Sequence, residues 1–480
     1  MKNMTPQKMA EAVKGELFTM GKNAGREVEK VVIDSRLAEE NCLFIAMKGE
    51  RVDSHKFIPE VFDKGARCVI SERPLTPEEA KGPYILVPSA LKALEDLALF
   101  YRSGLSTKVV SITGSVGKTS TKEAIATVLS ERFCVLKTEK NLNNNIGLPL
   151  TLLQIQKEHE IAVVEMGISH FGEMEPMSLA AAPDIALITN IGDAHVENLK
   201  SREGILEEKS HIFDALKPGG FALLNGNDPL LSVFRPQIKD DARVLYFGLD
   251  KKAAGSLPPG LYASDIVSSG LEGSSFTLSL SGQADLALQE GLLPLSASCP
   301  LPGEHSVTNA VCAALVGILC GMTAEELRSG IGGISTISGR SNIVRTERLT
   351  ILDDCYNANP DSMRAALKML ERAEGRKVAV LGDMFELGEN EAALHREVGA
   401  FAAGTKPDIL IGIGDLAKEL CAGAAEKAAL QGGIPEIRHY SSPEEFKRSA
   451  PSLLKEGDTC LVKASHGMNF AELVEYLKTF

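Results

Sequence analysis

The strongest chemical signal in the chain is a turn of eight residues, Thr113-Gly114-Ser115-Val116-Gly117-Lys118-Thr119-Ser120. Glycines let the backbone fold its N–H groups around a phosphate, and a helix N-terminus behind the turn adds partial positive charge. In that geometry Lys118 reaches the β and γ phosphates, and the Thr119 hydroxyl ligates Mg²⁺. The spacing is tighter than Gly-x-x-x-x-Gly-Lys-[Ser/Thr], since two residues separate Gly114 from Gly117. The plainer reading is a glycine-rich connection with a solvated lysine. The strand-like run Val109 to Ile112 before it and the helical pattern Lys118 to Ser130 after it favour phosphate binding. Gly114, Ser115, Val116, Gly117, Lys118, Thr119 and Ser120 are therefore candidate nucleotide-binding residues.

Two further positions put chemistry at the ends of buried strands, where α/β proteins build their ligand sites. Ile161 to Val164 ends in Glu165, and Ile185 to Thr189 leads to His195. Each alone is explained by a strand-end polar group meeting water or backbone. With a nucleotide turn on the same edge, metal binding becomes the better reading. Oxygen ligands suit Mg²⁺, and a histidine leaves Mn²⁺ open. Lys209, fourteen residues after His195, reads by itself as a helix-surface lysine. His305 and Asn309 are four apart and share a helix face, which could equally be the polar face of a helix start. Asp353-Asp354-Cys355-Tyr356-Asn357-Ala358-Asn359-Pro360 ends a strand, and Asn359 can cap the helix that Pro360 opens. That cap does not account for the paired aspartates or Tyr356. Asp34-Ser35-Arg36 is either a phosphate contact or a solvated turn.

The elements that must carry these residues alternate between strand and helix. Val31 to Ile33, Leu43 to Met47, Cys68 to Ile70 and Ile85 to Val87 are short strand candidates, with a helix at Phe57 to Lys64. Leu91 to Tyr101 reads as an amphipathic helix. Buried strands at Val109, Ile161, Ile185 and Phe221 with helices between them imply a parallel sheet with crossovers. Ser274 to Ser281 alternates polar and apolar and predicts an antiparallel strand in a small insertion. An extended linker is expected around Gly255 to Ser298. Gly330 to Gly339 reads as a hinge. A second βα series follows, with strands at Thr350 to Asp353, Lys377 to Leu381, Ile409 to Ile413 and Thr459 to Val462. The fold class is α/β in three units, 1–88, 89–336 and 337–480.

The whole-chain figures agree with this. At about 150 residues per domain, 480 residues make about three domains. A net charge of -13 argues against nucleic acid or an anionic membrane surface as partner. The longest apolar stretch, Ala310 to Met322, contains Gly317 and Gly321 and falls short of the ~20 residues of a membrane span. Met1 to Ala10 lacks the apolar core of a signal peptide. Nine scattered cysteines without Cys-x-x-Cys spacing read as buried thiols of a reducing cytoplasm.

Together these segments resemble the Mur ligases, the ATP-dependent amino-acid- and dipeptide-adding enzymes of peptidoglycan synthesis. The segments that carry the resemblance include the short Thr-Gly-Ser-Val-Gly-Lys-Thr-Ser turn with Thr121-Lys122-Glu123, and Asn141 to Thr151. Glu165-Met166-Gly167, Ile188 to His195, Leu301 to His305 and Asp354 to Pro360 complete them. The resemblance implies a small α/β N-terminal domain that binds a UDP-sugar peptide, a central ATP-binding domain and a C-terminal Rossmann-like domain. Within the family the segments match most closely the branch that joins D-alanyl-D-alanine to UDP-MurNAc-tripeptide. Folylpolyglutamate synthetase shares the core, so a ligase adding a single amino acid is the alternative. A nucleotide-hydrolysing switch needs no third unit.

The same resemblance implies two Mg²⁺ ions. Thr119 and Glu165 would hold the first; Glu165, His195 and a carbamylated Lys209 would serve the second. Lys118, His195 and Lys209 are the implied catalytic residues. Asn309, Arg340 and Asp354 would hold adenine and ribose. Ser35, Arg36, Asn144, His170, Tyr356 and Asn359 are the implied substrate contacts. A monomer is the family expectation. Two departures stand out: His466 in Lys463-Ala464-Ser465-His466 replaces an arginine, and Ser169 stands where asparagine is common before the histidine.

Overall fold

The computed structural model describes Met1 and residues 3–20, 25–49, 52–238, 241–250, 257–281, 291–431 and 436–480. Three sheets organise the chain. The first has the order Glu16–Phe18, Tyr84–Leu86, Cys68–Ser71, Cys42–Ile45, Lys30–Val32, parallel except for the pair Glu16–Phe18 with Tyr84–Leu86. The third runs Asn342–Arg345, Leu349–Asp353, Asp458–Lys463, Lys377–Gly382, Ile409–Ile413, Glu436–Tyr440, again with one antiparallel pair at its edge.

The central sheet has nine strands, and Lys108–Thr113 lies between Ile185–Ile188 and Ile161–Glu165. All five residues of Ile161–Glu165 and all four of Ile185–Ile188 are buried. Strands covered on both faces read as unbroken apolar runs, which is why they were legible in the sequence. Lys118–Ser130 and the largely apolar Glu304–Leu319 cover one face together. Ala90–Ser103 covers the other, and its Leu94 and Leu97 share a single apolar core with Ile45 and Ile70 of the first sheet and Ile188 of the central one. Apolar packing is therefore continuous from the first sheet into the second.

Several elements differ from the sequence reading. Ser274–Ser281 is antiparallel, as its alternation predicts, but it does not sit in a separate insertion. With Gly260–Ser268 and Leu295–Cys299 it extends the central sheet. Leu261, Ala263, Phe276, Leu278 and Leu295 point into the same core as Glu304–Leu319, so alternate residues have a reason to pair there. The described residues of the linker expected at Gly255 to Ser298 are thus mostly strand, with a 3₁₀ turn at Gly270–Glu272 and short connections between, and residues 255–256 and 282–290 lie outside the described residues. The hinge expected at Gly330 to Gly339 begins as helix, because a Thr323–Glu326 capping box starts Ala324–Gly332; the irregular connection follows it. The helix expected at Phe57 to Lys64 is a 3₁₀ turn, Ser54–Phe57, followed by Ile58–Asp63. Cysteines are free, as their spacing predicts, but Cys134 is exposed and Cys320 only partly covered.

Candidate active site

The turn after Lys108–Thr113 is shaped by what surrounds it. Gly114 has φ 149°, and a Cβ there would overlap Thr189 Oγ1. Gly117, at φ 83°, ends the turn and caps Lys118–Ser130. The neighbouring strand end fixes the turn from outside. The Val116 N–H donates to Asn190 Oδ1 at 2.8 Å, and Asn190 Nδ2 donates back to the Val116 carbonyl at 2.9 Å. Gly192 N–H donates to Ser115 Oγ at 2.9 Å. The Lys118 ammonium curls over the turn and donates to the Gly114 carbonyl at 2.8 Å.

Register brings Glu165 beside Ile112, at the same sheet edge. Its carboxylate accepts from Thr119 Oγ1 at 2.8 Å and from Asn143 Nδ2 at 2.8 Å. Behind Lys118 lies Lys209, which is 1 % exposed on the inner face of Arg202–Ser210. The surface position suggested by its immediate neighbours is therefore wrong. Ile205, Glu208 and Lys209 all face inward, while Glu207 faces solvent. Burial, and then the charge of Lys118, hold the Lys209 amine well below the usual lysine range. Glu208 compensates only in part, because its oxygens accept the N–H groups of Gly172 and Met174 at 2.9 and 2.8 Å.

His195 is half-buried with a left-handed backbone, φ 63°. Burial, then Lys118 and Lys209, push its imidazole down to about 4, so it is neutral at neutral pH. Its Nδ1 lies 3.2 Å from Glu386 Oε2 of the third sheet's loops.

A cleft of about 390 Å³ opens between the central and third sheets. Ser115, Val116, Gly117, Lys118, Thr119, Ser120 and Glu165 line it from one side with Asn309; Arg340, Asp354, Tyr356 and Asn359 line it from the other. Gly114 lies beneath, contributing the carbonyl that Lys118 uses. Asn309 is set by Thr121, whose hydroxyl donates to its Oδ1 at 2.9 Å. The Arg340 guanidinium stacks 3.8 Å from the Tyr356 ring centre. Asn359 caps Pro360–Glu371 in a capping box with Ser362.

The remaining candidates do not line this cleft. Asn144 Oδ1 accepts the N–H of Gly147 at 2.8 Å and starts Gly147–Leu152. His170 is exposed, 3.6 Å from Glu173. Ser35 is buried in a 3₁₀ turn, and the Arg36 guanidinium pairs with Asp34 at 2.6 Å. That pairing holds the Asp34 carboxyl down at about 2.

Sequence reasoning did not place Lys463, Asn143, Asn190 or Phe247 in the site, yet all four line the cleft. Lys463, almost fully buried, donates to Asp354 Oδ2 at 2.7 Å and to the Asn357 carbonyl at 2.9 Å. It ends a buried strand, the same signal that singled out Glu165.

Three family models match successive parts of the chain: the Mur ligase family catalytic domain at residues 27–102, the Mur ligase middle domain at 112–317 and the Mur ligase glutamate ligase domain at 339–466. The UDP-N-acetylmuramoyl-tripeptide–D-alanyl-D-alanine ligase of Bacillus subtilis (strain 168) is 36% identical over 481 residues, covering 98% of each chain. The chain belongs to the Mur ligase family. Among solved structures, MurF from Acinetobacter baumannii superposes on this Mur ligase with a TM-score of 0.86 at 29% identity, covering 99% of both chains. MurF ligase from Thermotoga maritima, solved in complex with ADP, gives 0.78 at 28% identity over 94% of this chain and 97% of that one.

The donor set of this Mur ligase suits a hard cation. A hydroxyl and a carboxylate, Thr119 and Glu165, meet at the end of the phosphate turn, and both are oxygen ligands. On the His195 side two lysines crowd a neutral imidazole. That side suits a cation only if one lysine changes sign; burial, and then the charge of Lys118, depress the basicity of Lys209 well below the usual lysine range.

Proposed function

We propose that this Mur ligase joins D-alanyl-D-alanine to the terminal carboxylate of UDP-MurNAc-tripeptide, consuming ATP and forming UDP-MurNAc-pentapeptide for peptidoglycan. One observation carries the reading: a phosphate-binding turn on the central sheet and the open edge of a separate Rossmann-like sheet face each other across one cleft. A nucleotide switch needs only the first of these.

The chemistry follows from the charges. Amide formation from a carboxylate in water is uphill, and a carboxylate is a poor electrophile. The tripeptide carboxylate oxygen attacks the γ phosphorus, ADP leaves, and an acyl phosphate results. Both reactants are anionic, so Lys118 screens the phosphate as charge shifts during transfer. The dipeptide amine then attacks the acyl carbon, and the tetrahedral adduct expels phosphate with the electrons of its C–O bond. Water would destroy the acyl phosphate, so closure of the third sheet on the central one protects it. The connection following Gly332 is where that motion is placed.

Thr119 and Glu165 would hold one Mg²⁺; Glu165, His195 and a carbamylated Lys209 would hold the second, and Mn²⁺ can replace either. Bound metal supplies charge neutralisation of the transferred phosphoryl group. A protonated amine has no lone pair for a metal, whereas the neutral Lys209 amine reacts with CO₂ to give an anion with two oxygens. The depressed basicity of Lys209 supports this modification. Asn309, Arg340 and Asp354 would hold adenine and ribose. Ser35, Arg36, Asn144, His170, Tyr356 and Asn359 would contact the UDP-peptide and the dipeptide. We take 1–88, 89–336 and 337–480 as the three domains, and place the enzyme in the cytoplasm as a monomer. No helix of the described residues is long and apolar enough to cross a membrane.

The test is ATP turnover with each substrate omitted in turn, followed by product mass. Phosphate release that needs both UDP-MurNAc-tripeptide and D-alanyl-D-alanine, with a product of pentapeptide mass, is expected. Turnover without either substrate overturns the ligase reading. Ligation of a single amino acid in place of the dipeptide selects the alternative branch.

A further inference from the structure

The family resemblance gives Asp354 a task but leaves its neighbour Asp353 without one. Asp353 ends the strand Leu349–Asp353 and is 2 % exposed. Its Oδ2 accepts the Gly339 N–H at 2.8 Å, and its Oδ1 accepts from the Cys355 thiol at 3.0 Å. A hydrogen bond to an ionised carboxylate is stronger than one between neutral groups. Here it is spent on the backbone of the connection between the central and third sheets.

The gripped segment is the turn Gly339-Arg340-Ser341. Asn342 begins the edge strand of the third sheet directly opposite Asp353, so the turn folds back over the end of the neighbouring strand. The Tyr356 N–H donates to the Gly339 carbonyl at 2.9 Å, and the Ser341 N–H donates to Asp354 Oδ1 at 2.8 Å. Lys463 donates to the other Asp354 oxygen at 2.7 Å. Gly339 and Ser341 have φ 77° and 50°, both left-handed, and Arg340 stands between them. A left-handed serine persists where its surroundings over-determine it. With the backbone fixed on both sides, the Arg340 guanidinium lies 3.8 Å from the Tyr356 ring centre and lines the cleft. Burial holds the Lys118 ammonium below the usual lysine range; Glu165 opposes this, and the Arg340 charge adds to it. Arg340 and Lys118 thus bring two cations to one cleft from opposite sides.

We propose that Asp353 is a positioning residue for the nucleotide: its grip on the Gly339 N–H makes the Arg340 turn part of the third sheet, so the arginine is aimed before the nucleotide arrives and travels with that sheet as the cleft closes. Holding a long side chain in place beforehand lowers the ordering cost of binding. Bending of the connection is then confined to residues 333–338. This rests on Arg340 holding the nucleotide, as in the reading above, and not on which amine is ligated.

The test is ADP binding to the full chain by titration calorimetry with Mg²⁺ present. It needs neither ligation nor the UDP-peptide, so it stands apart from failure of the proposed activity. Arg340→Ala is expected to weaken ADP about tenfold, and Asp353→Ala about fivefold or more, the range for losing a hydrogen bond to a charged group. Asp353→Asn keeps an oxygen for the Gly339 N–H and should bind within about twofold of wild type. Asp353→Ala combined with Arg340→Ala should be no weaker than Arg340→Ala alone, because the aspartate acts through the arginine. Asp458→Ala controls for plain destabilisation. That buried carboxylate pairs with Arg376 at 2.9 Å at the other end of the same sheet. Its loss should lower the melting temperature and leave ADP affinity unchanged. Asp353→Ser, too short to reach Gly339, takes the place of Asp353→Ala if the alanine variant does not fold. Wild-type affinity in the Asp353 variant, additive losses in the double variant, or an equal loss in Asp458→Ala overturns the proposal and leaves Arg340 as a nucleotide contact. Wild-type affinity in Arg340→Ala removes that contact and the proposal with it, and leaves the ligase reading standing.

Discussion

Lys118 and Lys209 show how much a single side chain depends on its surroundings. Both are lysines on helices of the central unit, but one touches the phosphate turn and the other lies behind it. Lys118→Ala is expected to lower ligation by about 10²–10³-fold, the usual cost of removing a positioned electrostatic group, while circular dichroism shows an unchanged fold. Retention of turnover within a few-fold of wild type would remove Lys118 from the phosphate site. Lys209→Ala is expected to be severely impaired, with acetate or formate restoring part of the activity by occupying the vacated carbamate position. Full activity without additive refutes any role for Lys209; severe loss without rescue keeps a catalytic lysine but not the carbamate. His195→Ala is expected to lose most at low Mg²⁺ and to recover partly as the metal is raised. An equal deficit across the titration means that His195 is no ligand.

At the scale of elements, the capping box at the start of Pro360–Glu371 separates structural from substrate roles for Asn359. The side chain accepts the Ser362 N–H at 2.9 Å, and Ser362 Oγ accepts the Asn359 N–H at 3.0 Å. Asn359→Ala is expected to destabilise the C-terminal unit by about 1 kcal/mol, seen as a lower melting temperature. Asn359→Ser keeps a cap and should restore the melting temperature. If KM for D-alanyl-D-alanine is restored with it, capping accounts for Asn359; if KM stays high, the amide contacts substrate as the family resemblance implies.

For the whole molecule, the burial of His195, with Lys118 and Lys209 close by, makes stability depend on pH. His195 falls from an ordinary 6.5 to about 4 in the folded protein, chiefly through burial. Between those values the unfolded chain binds the proton and the folded one does not. Stability is therefore full above pH 6.5 and is lost as pH falls toward 4. Melting temperatures of the metal-free protein from pH 7.5 to 4.5 should decline, and His195→Gln should flatten part of that decline. A parallel decline in the variant would assign the acid sensitivity to other groups.

The sequence by itself determined the parts whose signal is local. Buried parallel strands must be apolar throughout, so Ile161–Glu165 and Ile185–Ile188 were legible as runs, and their open ends pointed to Glu165 and the region of His195. The shape of the turn ahead of Lys118–Ser130 was legible because two glycines and a lysine at that spacing answer to one backbone geometry. Asn359 was legible as a cap because its bond partner lies three residues away. Tertiary structure alone decided which distant groups share an environment. Lys209 looks solvated among Glu207, Glu208 and Ser210, and only the tertiary packing of Arg202–Ser210, whose Glu208 accepts the N–H groups of Gly172 and Met174, buries it within reach of the Lys118 charge. Lys463 reaches Asp354 from 109 residues away, and Glu386 reaches His195 from another sheet. Of the strands between Gly260 and Cys299, Ser274–Ser281 was legible by its alternation, whereas Gly260–Ser268 and Leu295–Cys299 escaped the sequence reading for the same reason. Edge strands with one face toward solvent carry a weak alternating pattern, and it is the core beneath Glu304–Leu319 that draws them onto the central sheet.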